Sequence, residues 1–399
     1  MNIGLALSGG GYRATVFHLG VIARLAEEDI LRQVTVLSTV SGGSLCAGLV
    51  FGLNAMRWPT AQEYQDHTLP ETRRILTTTD LQKDLITRAL GSFWTLFGSR
   101  ANDLSALIQK DWGITARLNE LPESPRWLIN ATCYETGKNW RFEKRRMGDY
   151  LFGYSRDTDI PLSDAMAASA GFPGGIGALP FNTTQKHWYQ YVDAPAPTLA
   201  TGGETTLKTQ TVQPPYPQVH LWDGGAYDNQ GLEGLHDFVK GWQLGIDFLI
   251  VSDAAGRSKP EAYHMGPKAI MRLMTGIMMD QVRSLRTRAI IERFINHQDK
   301  GVFLQTGNTS EHIIRSARRD SNLTVAAIDA EVAKIAQDSL SPLEAQKAAE
   351  MPTVIRKLTS EEFERLFRHG FEVADVLLYA YYPESFKYID YLKSRWASH

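Results

Sequence analysis

The sequence predicts an α/β fold, a mostly parallel central sheet flanked by helices with a helical extension at its C-terminal end, and three observations carry that expectation. An apolar run at 3–8 (IGLALS) meets three glycines and then a helical pattern. A second run at 34–40 (VTVLSTV) meets Ser-Gly-Gly-Ser and another apolar helix, SLCAGLVFGL. A third, DFLIVSD at 247–253, completes the set of short buried strands. Strand, helix, strand, helix in close succession is the order in which a parallel sheet covers itself with helices.

Each element follows from its pattern. In the first helix Val16, Leu19, Ile22, Ala23, Leu25 and Ala26 recur on one face, which is the 3.6-residue period of a half-buried helix. Residues 55–120 read as amphipathic helices, broken by a glycine and aromatic patch at 91–98 (GSFWTLFG). RWLINATCY and KNWRFEK flank the turn residues Glu135 to Gly137 and predict a hairpin over 126–143. Residues 183–217, rich in Thr, Pro and Gly, read as a surface excursion. QVHLW then forms a strand that ends at Asp223. From about 266 the pattern is helical to the end, with a long helix at 267–297 and others near 326–350 and 360–380. The shift in composition near 260 divides the chain into a core, 1–260, and a helical region, 261–399, expected to lie on that core.

Composition sets the broad class. At 399 residues with 43% hydrophobic side chains the chain can bury a full core. Lys and Arg number 42 against 44 Asp and Glu, so no general field draws in nucleic acid, and any membrane contact must be local. The two cysteines, Cys46 and Cys133, are too few for a disulfide framework or a zinc cluster. No metal or other cofactor is expected. The opening MNIGLALSGGG lacks a charged leader and a cleavage site, and no apolar stretch reaches the roughly 18–20 residues that span a bilayer. A reducing, cytoplasmic setting with peripheral membrane contact is the expectation.

Three constellations can carry chemistry. Ser8-Gly9-Gly10-Gly11-Tyr12-Arg13 lies between a strand and a helix. Its glycines turn tightly and leave N–H groups unblocked at a positive helix terminus, which suits an anion, either a phosphate or a transient oxyanion. The spacing fits neither the GxxxxGKS/T phosphate loop nor GxGxxG. Thr39-Val40-Ser41-Gly42-Gly43 sits at a second strand-to-helix junction. Small residues around such a serine permit the sharp turn of a nucleophile elbow, usually written GxSxG. Thr39 replaces the first glycine, and Ser44 is the rival nucleophile. Trp222-Asp223-Gly224-Gly225-Ala226-Tyr227-Asp228-Asn229 places a carboxylate at a strand end with nothing bulky after it. A serine hydrolase normally uses a histidine base, yet none of the 10 histidines has a distinguishing local context. His18 and His220 read as packing or supporting residues.

In this order the pieces resemble the patatin-like phospholipases, and SGGGYRATVFHLGVI also resembles the related catalytic domain of cytosolic phospholipase A2. PLSDAMAASAGFPGGIGALP at 161–180 is similar to the family segment beside the active site, and the hairpin around ATCYETGK is also family-like. The resemblance covers about 3–260. It implies a three-layer patatin-like fold and a Ser41–Asp223 dyad that cleaves carboxylic esters of membrane phospholipids or other lipids. Gly10, Gly11 and Arg13 would form the oxyanion hole, with Gly9, Thr39, Gly42, Gly43, Gly224 and Gly225 supporting the turns.

The same machinery would serve acyl transfer, and a catalytically silent lipid-binding module is the reading from outside enzymology. Some bacterial patatin-like proteins of this size are antiphage effectors switched on by cyclic nucleotides. That would make the region after 260 a candidate surface for such an activator or for homo-oligomer assembly. Two apolar stretches could meet lipid: Phe93, Trp94 and Phe97 beside Gly91 and Gly98, and a helix bearing Met271, Met274, Met278 and Met279 followed by Arg283, Arg286, Arg288 and Arg293. The plainer expectation for both is a core face.

Overall fold

The computed structural model describes residues 1–90, 100–192, 208–256, 260–319 and 321–396. Five parallel strands form the centre of the main sheet in the order β14 (Gly301–Gln305), β13 (Phe248–Asp253), β1 (Ile3–Leu7), β2 (Val34–Val40) and β3 (Arg126–Cys133). An antiparallel wing extends it through β4 (Lys138–Phe142), β5 (Met147–Asp149), β6 (Gly153–Ser155), β8 (Trp188–Tyr191) and β9 (Thr209–Val212). Two further strands, β7 (Leu179–Asn182) and β10 (Gln218–Asp223), pair with each other, and β10 also pairs with β3. The hairpin of β11 (His236–Asp237) and β12 (Gly241–Trp242) stands apart.

Strand alternation sorts the apolar residues into two layers. Leu5, Leu7, Leu37, Ile129, Ile250 and Leu304 face one cluster, while Ala6, Val36, Leu128, Val251 and Phe303 face another, as a period of two requires when both faces are covered. Helices α1 (Gly11–Glu27), α2 (Gly42–Gly52), α3 (Leu162–Ser169), α4 (Pro342–Glu350) and α5 (Ser360–Tyr381) contribute to the first cluster. Ile290, from a helical run at 267–295, contributes to the second. Sheet and helices thus form three layers, as the resemblance implies.

Several expectations are corrected. The chain after 266 is not helical throughout: Gly301–Gln305 is a strand parallel to β13. Its GVFLQ run is too short for periodicity to separate a buried strand from a helix. The surface excursion includes β8 and β9, paired to each other. The run 267–295 is continuous but holds a π-helical stretch, Arg272–Met278, between Pro267–Met271 and Met279–Ile295. Met271, Met274 and Met278 do not face a core; they are exposed to solvent. Phe93, Trp94 and Phe97 lie outside the described residues.

The C-terminal helix α5 crosses α1 backbone to backbone. A Cβ on Gly20 would lie 2.0 Å from the Phe367 carbonyl oxygen, and one on Gly370 would lie 1.9 Å from that of Phe17. Only glycine allows two helices this close, and the approach fixes α1, whose first turn carries the glycine-rich loop.

Candidate active site

Pairing along β3 explains why Ser41 and Asp223, 182 positions apart in sequence, meet in space. The first part of β3, up to Asn130, pairs with β2, and the last part, Ala131 to Cys133, pairs with β10. Strand β2 runs parallel to β3 and β10 antiparallel to it, so their C-terminal ends meet head-on, Val40 opposite Asn130 and Asp223 opposite Ala131. The residue after Val40 is Ser41. Asn130 fastens the junction: its amide donates to Ser38 Oγ and to the Thr39 carbonyl, each at 3.0 Å.

At Ser41 the backbone turns sharply, with φ 49° and ψ −116°, before α2 begins. A non-glycine residue at positive φ is strained, and such strain concentrates at functional sites. The following glycines are required by close approach. A Cβ on Gly42 would lie 2.3 Å from the Gly11 carbonyl oxygen, and one on Gly43 would lie 2.3 Å from that of Leu7. The two strand-to-helix turns, at 8–11 and 41–43, are therefore packed back to back.

Thr39, the departure from GxSxG, has a place of its own. Its buried hydroxyl accepts from Trp127 Nε1 (2.8 Å) and bonds to Ser44 Oγ (2.8 Å). Ser44 continues to Ser169 Oγ (2.8 Å), which accepts the backbone N–H of Ser41 (3.0 Å). The hydroxyl of Ser44 is thus buried within a structural chain, whereas Ser41 lines the open cavity. Ser169 belongs to the 161–180 segment, whose backbone also receives Asp223 N–H at Gly171 and Gly224 N–H at Ser169, each at 3.2 Å.

The Asp223 carboxylate is buried and accepts the Gly225 N–H at 2.7 Å. Burial raises its pKa to about 6, against the opposing pull of the Gly225 N–H and the Ser41 hydroxyl. The group is therefore ionised at neutral pH yet basic enough to take a proton. No histidine is among the described residues lining the cavity. His18, buried between Ser252 Oγ (2.8 Å) and the Ser8 carbonyl (2.9 Å), is pushed down by burial to a pKa of about 4 and stays neutral. His220, its side chain exposed, pairs with Glu135 at 2.7 Å.

Gly10 and Gly11 open α1 at φ 143° and 59°, and the first amides of a helix have no carbonyl one turn back to bond. Tyr12 N–H is already taken, donating to the Val354 carbonyl at 2.9 Å. Arg13 is engaged as well. Its guanidinium donates to the carbonyls of Ala254 (2.9 Å) and Met351 and to Thr353 Oγ1 (3.3 Å). Burial and the nearby Arg283 lower its pKa to about 10, so it keeps its charge. Arg13 ties residues 351–354 across the glycine loop.

Ser41, Asp223, Gly10 and Arg13 line one cavity of about 680 Å³. Its walls also include Phe172, Asn229, the 306–308 loop and residues 349–353, together with Thr275, Met279, Asp280 and Arg283. Asn130 carries no motif and was missed by sequence reasoning, while Ser169 and Asn229 stand within stretches the sequence singled out, 161–180 and 222–229, without a role assigned to them. Asn229 Oδ1 sits 2.4 Å from where a Cβ on Gly9 would start and 2.6 Å from one on Gly225, which accounts for glycine at both positions.

Among solved structures the chain is similar to human GIVD cytosolic phospholipase A2, with a TM-score of 0.48 and 13% identity over 95% of this chain and 60% of that one. A complex of the same human enzyme with methyl gamma-linolenyl fluorophosphonate gives 0.47 and 15%, over 95% and 59%. The chain therefore spans about 60% of the length of that enzyme. No curated protein matches it. The family model for patatin-like phospholipases matches residues 5–236, more than half of the 399. That span takes in the glycine loop, the serine elbow and the Asp-Gly-Gly strand end, and the chain belongs to the patatin-like phospholipase family.

Proposed function

We propose that the protein is a lipid acyl hydrolase that cleaves carboxylic esters through a Ser41–Asp223 dyad. The single observation that carries this reading is the head-on meeting of β2 and β10, which turns a strained serine and a buried carboxylate into one cavity. Asp223 accepts the Ser41 hydroxyl proton as Oγ attacks the ester carbonyl. The amides of Gly10 and Gly11 stabilise the tetrahedral oxyanion, each such donor being worth about 100- to 1,000-fold in rate. On collapse the alcohol leaves with the proton held by Asp223, and Ser41 carries the acyl group. Water then gives a proton to Asp223 and attacks the acyl-enzyme; the fatty acid departs and the proton returns to Ser41.

Arg13 acts in this scheme as a positioning residue, because three of its five N–H groups are spent on protein oxygens, two of them holding residues 351–353. Thr39 and Ser169 hold the elbow, and Gly224 and Gly225 let the carboxylate approach. The direct test is the product profile of phospholipids incubated with the full chain and with Ser41→Ala. Free fatty acid and lysolipid are expected from the first and neither from the second; full hydrolysis by the variant would reject the proposal.

A further inference from the structure

The helical run 267–295 has two faces with different surroundings. Thr275, Met279 and Arg283, spaced four apart, line the catalytic cavity. Met271 Cε lies 2.8 Å from where a side chain on Gly174 would start, in the turn that follows the cavity residue Phe172. The run is therefore one lip of the cavity. Its outer face is apolar and open: Ile270, Leu273, Met274, Ile277 and Met278 are 59%, 52%, 59%, 44% and 60% exposed. Large contiguous apolar faces are unusual on soluble proteins and mark places where something else is met.

Charge narrows what that partner is. Residues 263–295 hold six Lys or Arg and two Asp or Glu, a local excess of four positive charges in a chain of net charge −2. Arg272, Arg283, Arg286 and Arg293 are spent on Glu261, Asp253, Glu233 and Asp299, while Lys268 and Arg288 stand exposed along the run. An apolar helical face with exposed cations is the pattern of a helix lying in a membrane interface. None of the described helices is long and apolar enough to cross a bilayer.

We propose that the outer face of 267–285 docks the protein on an anionic lipid bilayer and lays the cavity mouth against the membrane. This rests on the lipid-hydrolase reading. A bilayer suits the face better than a second copy, because the face continues into the rim of the cavity, where a bound copy would obstruct a lipid's entry. Flexible methionines also conform to a fluid apolar medium as well as to a fixed partner. A lipid then passes from bilayer to cavity along Met271 and Phe172 without leaving an apolar path.

The test uses the full chain and unilamellar vesicles of phosphatidylethanolamine and phosphatidylglycerol. Binding is measured by flotation in a Ser41→Ala background, with and without the pair Met274→Asp and Met278→Asp, neither of which lines the cavity. The parent is expected to float with the vesicles, and the paired substitution to lower the partition coefficient about tenfold or more. With Ser41 intact, both proteins are expected to cleave a soluble short-chain ester equally, while vesicle hydrolysis falls in the variant. Equal flotation of parent and variant, or no flotation of the parent, overturns docking. A parent dimer made monomeric by the substitutions, with vesicle binding unchanged, assigns the face to a second copy and also overturns it. Absence of Ser41-dependent ester cleavage rejects the catalytic reading instead, and loss of flotation in the variant would still support docking.

Discussion

In the proposed dyad two side chains would set the chemistry, and each makes a separate prediction. Ser41→Ala is expected to lower hydrolysis at least ~1,000-fold with the fold intact. Ser44→Ala leaves the hydroxyls of Thr39 and Ser169 short of a buried partner and is expected to cost about 1–3 kcal/mol of stability, read by urea denaturation, while retaining turnover. For Asp223 the pKa of about 6 sets the pH dependence. Below it the carboxyl holds its proton and cannot act as base, so kcat/KM is expected to fall about tenfold per pH unit below about 6 and to level off above. The stability sign is opposite. A carboxyl whose folded pKa is raised binds its proton more tightly in the fold than in the unfolded chain, so the fold loses stability as pH rises through about 4 to 6. At pH 7 the cost is at most ~3 kcal/mol. Asp223→Asn is therefore expected to abolish turnover and raise the Tm at pH 7, with the gain vanishing near pH 4; an unchanged or lowered Tm at pH 7 would count against the buried-carboxylate account.

At the scale of elements, glycine motifs were the legible part because their physical cause is local. Three glycines after a strand, or a serine followed by two, signal a turn whose backbone must come close to something, and both turns stand where the sequence placed them. What they approach was not legible. Gly11 is glycine because a Cβ would lie 2.6 Å from the Val354 carbonyl oxygen, a partner 343 residues away. The GVFLQ strand was hidden by its brevity, and Asn130 by being an ordinary polar residue within an ordinary strand; for Ser169 the segment was legible and its bond to the Ser41 N–H was not. The methionine helix misled for a related reason: apolar spacing reveals a face and not what covers it. The crossing of α1 and α5 gives the prediction at this scale. Gly370→Ala places a methyl against the Phe17 backbone, which cannot give way as a side chain could. It is expected to destabilise the protein by ~3 kcal/mol or more, as a clear fall in Tm.

The whole molecule shows why the region after 260 belongs with the site. It supplies an edge strand to the central sheet, the helix that fixes α1, the 351–354 segment bound to Arg13 and Tyr12, and one lip of the cavity. A chain ending at 260 would expose β13 as an apolar edge and strip the outer face of α1, both of which favour aggregation. Such a fragment is expected to be insoluble, or to elute as aggregate in gel filtration; a monomeric fragment with ester hydrolase activity would contradict this reading of the architecture. That the first strands form a parallel sheet was readable from strand-helix alternation. The joining of the last third of the chain to that sheet depends on contacts far apart in sequence, which local patterns do not record.

The central claim is that Ser41 is the nucleophile, and peptide mapping after treatment with an alkyl fluorophosphonate tests it most directly, since this reagent bonds covalently to the activated serine of a serine hydrolase. One adduct per chain is expected, on the peptide containing Ser41, with loss of lipid hydrolysis in proportion and no adduct in Ser41→Ala. An adduct on Ser44 or any other residue, or undiminished hydrolysis by the fully modified protein, would contradict the account.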